Sequence, residues 1–304
     1  MDFGHYRVSN PEKRRMEKDE LRKRIYSKID ELPTLPAALP RLLSLIEDSR
    51  TNSSQIAEVI SRDPALTSKI LKVANSAYYG FQQQIGGLDR AVPLLGFNMV
   101  RSLALSLSVI HSLPSDAKSS SFSREGLWLH SLTVALMIQE LAKRLNKGDG
   151  SEYLFITGLL HDIGKIVFDQ FFTDLFQQAV EDSVNTGLGG LHVAERRVIG
   201  VDHGEVGAML LTRWKFPDAI SAPIAAHHLT DIPDGTSAVD VAMLRIADAL
   251  SNELDPGEQE ESVPPETYAA DLDILEVNEE ELEDIKAHLQ GVQEGIHAFY
   301  NAMS

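Results

Sequence analysis

The chain has 304 residues, of which 43% are hydrophobic and 24% charged, a composition typical of a globular protein that builds one large or two smaller domains. It contains no cysteine, which excludes disulfides and thiolate metal sites and is compatible with a reducing cytoplasm. The formal net charge of -17 argues against direct binding of nucleic acid. No signal-peptide pattern is present and no apolar run approaches about 18 residues, so we expect a cytoplasmic protein without a membrane span.

Charge is distributed unevenly along the chain. Residues 1–28 carry nine Lys or Arg against five acidic residues, whereas residues 253–284 carry fourteen acidic residues and no Lys or Arg. We interpret the first segment as a solvated basic helix and the second as a solvated acidic face. Docking of a protein partner is the alternative for either end.

Apolar residues recur at three- and four-residue spacing nearly throughout, which predicts an all-α protein without strands. In the first half, helices are predicted in "LPTLPAALPRLLSLIED", after a cap at Asn52 or Ser53, and after Asp63, which is followed by Pro64. Two more are predicted in "LDRAVPLLG", which ends at Gly96, and in "FNMVRSLALSLSVIHSL".

The serine-rich stretch 114–124 is interpreted as the connection between two helical lobes. The predicted organisation is a basic helical extension (1–24), an N-terminal lobe (25–115), a second lobe (116–254), and an acidic linker with a C-terminal amphipathic helix (255–304). Within the second lobe, helices are predicted over 125–144, 151–170, 173–187, 190–199, 203–214, 217–227 and 236–253.

The last predicted helix, "NEEELEDIKAHLQGVQEGIHAFYNAM", comes after the acidic linker 255–266. Its apolar stripe consists of Leu282, Ile285, Leu289, Val292, Ile296 and Phe299. Such a stripe must be buried, either against the chain's own core or in a homodimer.

Five histidines and two aspartates occupy notable positions on successive helices of the second lobe. They are His130, His161, Asp162, His203, His227, His228 and Asp248. In "YLFITGLLHDIGKIVFDQFF", residues 153–172, polar side chains interrupt an apolar run, which costs several kcal/mol unless each side chain finds a partner. Each residue alone fits a structural role, but together they can converge inside a helical bundle, where imidazole and carboxylate suit Fe, Mn, Zn and Ni. Gly164 lets the backbone approach another element closely at this point.

The order of these residues resembles the metal-binding pattern of the HD-domain phosphohydrolases. It also resembles the fuller set of the two-metal HD-GYP subgroup, which cleaves cyclic di-GMP. The resemblance implies a core metal site at His130, His161, Asp162 and Asp248, and a second ion at His203, His227 and His228. It also implies that Lys165 points toward a substrate phosphate. The HD-GYP pattern continues after the paired histidines with Glu, Arg and Gly-Tyr-Pro, whereas this chain reads "HHLTDIPDGT", which argues against cyclic di-GMP cleavage.

The first half resembles the HDOD family, in which the name denotes an HD-related output domain. The resemblance lies in "LPTLPAALPRLLSLIED", "SSQIAEVISRDPALTSKILKVANSAYYGF" and "IGGLDRAVPLLGFNMVRSLALSLSV". It covers about residues 25–250. It implies an all-α architecture of two helical lobes and the role of a bacterial regulatory output module, commonly without catalysis.

Two functions are open at this point. One is a signal-transduction protein whose metal is structural or senses a ligand, and which binds other signalling proteins or a phosphate-containing small ligand. The other is a metal-dependent phosphohydrolase acting on a nucleotide or cyclic dinucleotide, in which Asp162 and Lys165 are the catalytic residues. We favour signalling.

The expected cofactor is one or two divalent transition-metal ions, with iron first and manganese, nickel or zinc as alternatives. Two interpretations are favoured least. One is a helical domain whose histidines are all structural, and the other is base stacking on Tyr78, Tyr79 and Phe81, which we expect at the lobe interface instead.

Overall fold

The computed structural model describes residues 11–31, 38–47, 52–113, 117–119, 122–146, 153–187, 189–254, 268–291 and 293–303, and within these ranges the protein is all-α with no strand. The helices before the lobe connection are α1 (Pro11–Glu31), α2 (Ala38–Glu47), α3 (Ser53–Ser61), α4 (Pro64–Ala74), α5 (Leu88–Leu95) and α6 (Phe97–Ser112). Those of the second lobe are α7 (Arg124–Arg144), α8 (Leu154–Leu160), α9 (Ile163–Phe171), α10 (Thr173–Thr186), α11 (Gly190–Val198), α12 (His203–Arg213), α13 (Asp218–Ala226) and α14 (Ala238–Leu254). The C-terminal segment contains α15 (Ala269–Leu275), α16 (Glu279–Gly291) and α17 (Gln293–Met303).

Local capping chemistry sets the helix boundaries of the N-terminal lobe. Asn52 forms a reciprocal capping box with Gln55 at the start of α3, and Asp63 accepts the Leu66 backbone N–H at the start of α4. Gly96, with a φ of 86°, ends α5 and allows a bend of 113° into α6. Every residue of α6 from 100 to 109 is buried, so this helix forms the centre of the lobe.

Helix α1 crosses the boundary predicted between residues 24 and 25. Its C-terminal half is packed into the core through Ile25 and Ile29. Arg22 on the same helix donates to the carboxylate of Glu205 on α12 at 3.2 Å. The basic extension is therefore continuous with a helix that docks on the second lobe.

The helices of the second lobe match the predicted ranges within two residues at each end, with one difference. The helix predicted over 151–170 is two helices, α8 and α9, because the helical conformation is interrupted at His161 and Asp162. The described part of the serine-rich connection, residues 117–119 and 122–123, contains no helix.

The C-terminal segment packs on the chain's own core. Leu282, Ile285, Ile296 and Phe299 of the predicted stripe are buried there, whereas Leu289 and Val292 lie outside the described side chains, as does the linker 255–266. Helix α17 contacts both α4 and α7, and so joins the two lobes.

Of the three aromatic residues expected at the lobe interface, the two tyrosines pack against the C-terminal helix α17. The ring of Phe299 lies 5.5 Å from that of Tyr78 and 6.0 Å from that of Tyr79. Phe81, in contrast, stacks on Tyr79 and is partly exposed. Within the described ranges, no single helix is both long and apolar enough to cross a membrane, although α5 and α6 meet the length and composition criteria as a bent pair.

Candidate metal centre

The break between α8 and α9 places two adjacent polar side chains in the protein interior. His161 and Asp162 occupy the junction between the helices, and both are buried. Gly164, in the first turn of α9, lies directly against α12, where a Cβ atom would clash with the carbonyl oxygen of His203. Only glycine allows this approach, which brings the first residue of α12 next to Asp162.

All seven sequence-predicted ligands come together in one cluster. They are His130 on α7, His161 and Asp162 at the break, His203 at the start of α12, His227 and His228 after α13, and Asp248 on α14. Within three overlapping groups of these residues, the candidate ligand atoms lie within 4.8 Å of one another. The helical order read from the sequence therefore corresponds to a spatial cluster.

Asp162 lies at the centre of this cluster. Its Oδ2 atom is 3.3 Å from His161 Nε2 and 3.6 Å from His130 Nε2, while its Oδ1 atom is 3.0 Å from His203 Nε2. Asp248 lies on the same side of Asp162 as His130, and its Oδ1 atom is 3.1 Å from His130 Nε2. We name His130, His161 and Asp248 the first cluster, and His203, His227 and His228 the second cluster. Asp162 is shared between the two.

Backbone carbonyls orient two of the imidazoles. His161 donates from Nδ1 to the Gly158 carbonyl at 2.7 Å, and His227 donates from Nδ1 to the Ile224 carbonyl at 2.6 Å. Since a carbonyl only accepts, the proton must be on Nδ1 in both rings. In the neutral tautomer, Nε2 then carries the lone pair and faces the cluster.

Side chains orient two further imidazoles. His203 donates from Nδ1 to Glu195 Oε2 at 2.7 Å, and its backbone N–H donates to the same oxygen at 2.9 Å. His130 Nδ1 lies 3.2 Å from the hydroxyl of Ser251. Outer partners of this kind fix ring orientation and raise the basicity of the inner nitrogen.

The surroundings of the His227 Nε2 atom fit a bound cation. It is buried and has no hydrogen-bond partner among the described residues. Leaving such a group without a partner costs about 1–3 kcal/mol. A cation would take this lone pair, and the surrounding set of imidazole nitrogens and carboxylate oxygens suits a divalent transition metal.

The buried charged groups of the cluster shift one another's pKa values. Burial opposes the charged form of His161 and His203, but nearby carboxylates raise the pKa of each to about 10: Asp162 acts on His161, and Glu195 with Asp162 on His203. Burial likewise opposes the charged form of Asp162, yet His161, Lys165 and His203 hold its pKa well below the usual range. The buried carboxylate is therefore ionised and available to a cation.

The pKa values of the paired histidines, His227 and His228, are lowered instead of raised. Burial, together with the positive charge of neighbouring histidines, lowers the pKa of His227 to about 3 and that of His228 well below its ordinary value. Both rings are neutral at pH 7, which is the form that binds metals. His228 also stacks on His192, with ring centroids 4.1 Å apart and the planes 4° from parallel.

Lys165 lies inside the cluster. It is buried, and its ammonium donates to Asp162 Oδ2 at 2.7 Å from one turn further along α9. The expectation that it points toward a phosphate stays a prediction.

Sequence reasoning missed Glu195 and His192, which both lie on α11. Glu195 is fully buried beside Leu191 and Ala194, on the apolar face of that helix. An acidic residue in register with an apolar stripe is the signal that would have identified it. His192 carries no comparable signal, since it lies next to that face.

A family model for the HDOD domain matches residues 32–230 of this chain. Among curated proteins, an uncharacterised protein of Treponema pallidum (strain Nichols) is 28% identical over 204 residues, which cover 67% of this chain and 39% of that protein. The chain thus spans well under half the length of this relative.

Solved structures share the fold over nearly the whole chain. An HDOD domain protein with unknown function from Geobacter sulfurreducens is 25% identical, with a TM-score of 0.79 and coverage of 95% of this chain and 99% of that one. A proposed signal transduction protein from Marinobacter aquaeolei VT8 is 22% identical, with a TM-score of 0.79 and coverage of 94% and 66%. A proposed phosphohydrolase from Shewanella amazonensis SB2B is 24% identical, with a TM-score of 0.72 and coverage of 92% and 98%. Because the family model matches most of its length, the chain belongs to the HDOD domain family.

Proposed function

We propose that this chain is a regulatory HDOD protein whose second lobe holds divalent transition-metal ions and which acts by binding a signalling protein or a phosphate-containing ligand. The proposal of a metal centre rests on one observation. The two oxygens of Asp162 face different clusters, with Oδ2 toward His161 and Oδ1 toward His203. A carboxylate placed in this way suits a pair of cations held side by side.

Each cation has its own proposed ligands. The first would be held by His130, His161, Asp248 and the shared Asp162, and the second by His203, His227, His228 and the shared Asp162. Nitrogen and oxygen donors without thiolate suit iron, manganese, nickel and zinc. Iron is our first choice among these four metals.

The residues after the paired histidines favour a regulatory role over catalysis. The segment "HHLTDIPDGT" lacks the Glu, Arg and Gly-Tyr-Pro residues of the cyclic di-GMP hydrolases that the metal set resembles. Membership of the HDOD family and the name of the Marinobacter structure, a proposed signal transduction protein of the same fold, support the same role.

Elemental analysis of protein purified without chelator tests the metal centre. We expect at least one equivalent of a transition metal per chain, and anomalous scattering at its absorption edge between His161 and His203. Less than a stoichiometric equivalent of every transition metal, even after reconstitution with Fe²⁺ or Mn²⁺, would refute it.

A metal-dependent phosphohydrolase is the second candidate, favoured by the presence of all seven ligand residues and by the position of Lys165 beside Asp162. When bound, a metal pair would polarise a phosphoryl oxygen and lower the pKa of water. For this candidate, Asp162 anchors the site, and the ammonium of Lys165 offsets the negative charge of the substrate phosphate.

Turnover assays separate the two functions. The regulatory protein should show no hydrolysis of nucleotides or cyclic dinucleotides above the blank with Fe²⁺, Mn²⁺ or Zn²⁺ supplied. Robust metal-dependent turnover that Asp162→Ala abolishes would replace the regulatory function with the hydrolytic one.

A further inference from the structure

A single arginine closes the end of the helix that precedes the paired histidines. Arg245, on α14, donates from Nε to the carbonyl of His227 at 3.1 Å and from one terminal nitrogen to the carbonyl of Ala226 at 3.1 Å. It also donates to the carbonyl of Leu229. The guanidinium therefore binds three carbonyls of the turn that carries His227 and His228.

Ala226 ends α13 and His227 is its C-terminal cap, so two of these carbonyls lie where backbone acceptors have no partners within the helix, and the third, of Leu229, lies in the turn that follows. A positive charge there satisfies them and is stabilised by the negative end of the helix dipole. Because Arg245 binds the main chain at and around the ligand residues, it restrains the backbone from which the two imidazoles project. Asp248 lies three residues further along α14, on the same helical face, so one helix provides both a ligand and this clamp.

The fourth contact of Arg245 connects the turn to the C-terminal segment. Its other terminal nitrogen donates to Oδ1 of Asp271, on α15, at 3.2 Å, and the side chain of Asp271 is buried. Helix α15 packs along α14 and comes after the predicted linker 255–266. The carboxylate of Asp271 therefore holds the guanidinium through a different nitrogen from those that bind the ligand turn.

We propose that Arg245 and Asp271 are positioning residues through which the C-terminal segment α15–α17 sets the metal affinity of the second cluster. The inference rests on the proposed metal centre. When α15 moves away, the guanidinium loses its anchor, the turn at His227 loosens, and the second ion binds more weakly. The first cluster, held by α7, the α8–α9 break and α14, keeps its affinity. A partner that displaces α15 would in this way act on the metal centre without touching it.

The test uses the full chain with Asp271→Asn, which keeps the size of the side chain and removes its charge. Metal-free protein is titrated with Mn²⁺, with unbound Mn²⁺ counted by EPR, and anaerobically with Fe²⁺. We expect the second equivalent to bind about tenfold more weakly than in the wild type and the first equivalent to be unchanged. Asp271→Glu should restore part of the affinity, because it restores the charge.

The matched control is Lys286→Met. Lys286 on α16 forms an ion pair with Glu253 on α14 at 2.8 Å, so it also ties the C-terminal segment to α14, and its side chain is exposed to the same degree as that of Arg245. It does not bind the ligand turn, and we expect both equivalents to bind as in the wild type. A second readout is the imidazole NMR spectrum of the metal-free protein, in which Asp271→Asn should shift the signals of His227 and His228 and leave that of His130 in place.

The outcomes are distinguishable. Equal affinities in Asp271→Asn and the wild type, with unchanged imidazole signals, would overturn the inference and leave the metal centre standing. Equal weakening of both equivalents, or the same loss in Lys286→Met, would show general destabilisation and also overturn it. A wild-type protein that binds neither Mn²⁺ nor Fe²⁺ would refute the proposed function itself.

Discussion

Glu195 and His203 share two hydrogen bonds, because one carboxylate oxygen accepts both the backbone N–H and the Nδ1–H of the histidine. The same oxygen therefore fixes the first residue of α12 and the orientation of its ring. Burial raises the pKa of the Glu195 carboxyl, and the nearby His203 counteracts that rise. A change at Glu195 thus alters a proposed ligand without removing it.

Glu195→Gln should weaken metal binding by about 10–100-fold, since the amide keeps the shape of the side chain but withdraws the negative charge that supports His203. Competition against a chelating dye measures the affinity. Glu181→Gln, on the exposed face of α10, is the matched control and should bind as the wild type does. Identical affinities in the two variants would remove Glu195 from the site.

Asp162→Asn should lose both ions, because the two oxygens of the shared carboxylate face different clusters. We expect the metal content per chain to fall about tenfold or more by elemental analysis. Asp231→Asn, an exposed position in the loop after the paired histidines, should retain its metal. A variant at Asp162 that still purifies with a full complement would contradict the shared-ligand arrangement.

Metal binding should release protons at neutral pH. In the metal-free protein the pKa values of His161 and His203 are about 10, above the ordinary 6.5, so both rings are protonated at pH 7 and must lose their protons to a cation. Affinity should therefore rise between pH 7 and pH 10. Calorimetry in buffers of different ionisation enthalpy should detect about two protons released on full loading at pH 7. No release at pH 7 would contradict the prediction.

The stability of the metal-free protein should fall as the pH rises, whereas the metal affinity should increase. A raised pKa means that the folded state binds these protons more tightly than the unfolded state does. The stabilisation from His161 and His203 is therefore complete below pH 6.5 and is lost as the pH rises through about 10. Urea unfolding of metal-free protein at pH 7 and pH 9.5 measures this loss, and His161→Gln should reduce it.

Chelation should lower the melting temperature, since the ions would tie together five helical elements of the second lobe. At free metal about a thousandfold above Kd, binding contributes about 4 kcal/mol to the free energy of unfolding, which corresponds to about 6 °C in a protein of this size. Scanning calorimetry before and after EDTA treatment measures the shift. An unchanged melt in protein shown to have lost its ion would mean that the ion does not hold the lobe together.

Gly164→Ala should destabilise the protein by about 1–3 kcal/mol or more, because the added methyl group meets the backbone of His203 and the two helices must separate. Gly86→Ala is the control, since nothing lies within 4 Å of a Cβ atom there. It should be neutral or stabilising by up to about 1 kcal/mol. Urea unfolding compares the two variants, and equal stability would show that α9 and α12 tolerate a wider separation.

The sequence predicted the features that depend on local chemistry. Asp63 followed by Pro64 is a local helix-start signal and that boundary was correct, whereas the predicted helix 151–170 is two helices, because the break at His161 and Asp162 depends on packing against α12. The convergence of the seven candidate ligands could be inferred from their order along successive helices and not from any local pattern.

The features that the sequence did not reveal depend on long-range packing. Glu195 is one of 45 acidic residues, and its hydrogen bonds to His203, which mark it as part of the site, are visible only in the folded structure. Helix α15 was missed because "AADLDIL" is short and lies in the acidic stretch 253–284, which was interpreted as a solvated face. Its role depends on the contact of Asp271 with Arg245, 26 residues earlier.

Helix α17 has a consequence for how the protein is made. It supplies the ring that covers Tyr78 and Tyr79, and its Met303 carbonyl accepts a hydrogen bond from Lys69, 234 residues earlier. The first lobe therefore emerges from the ribosome long before its own interior is finished. During that interval a patch of tyrosine and phenylalanine faces water and is open to wrong associations, so a chaperone that shields aromatic surface should raise the yield of the native protein.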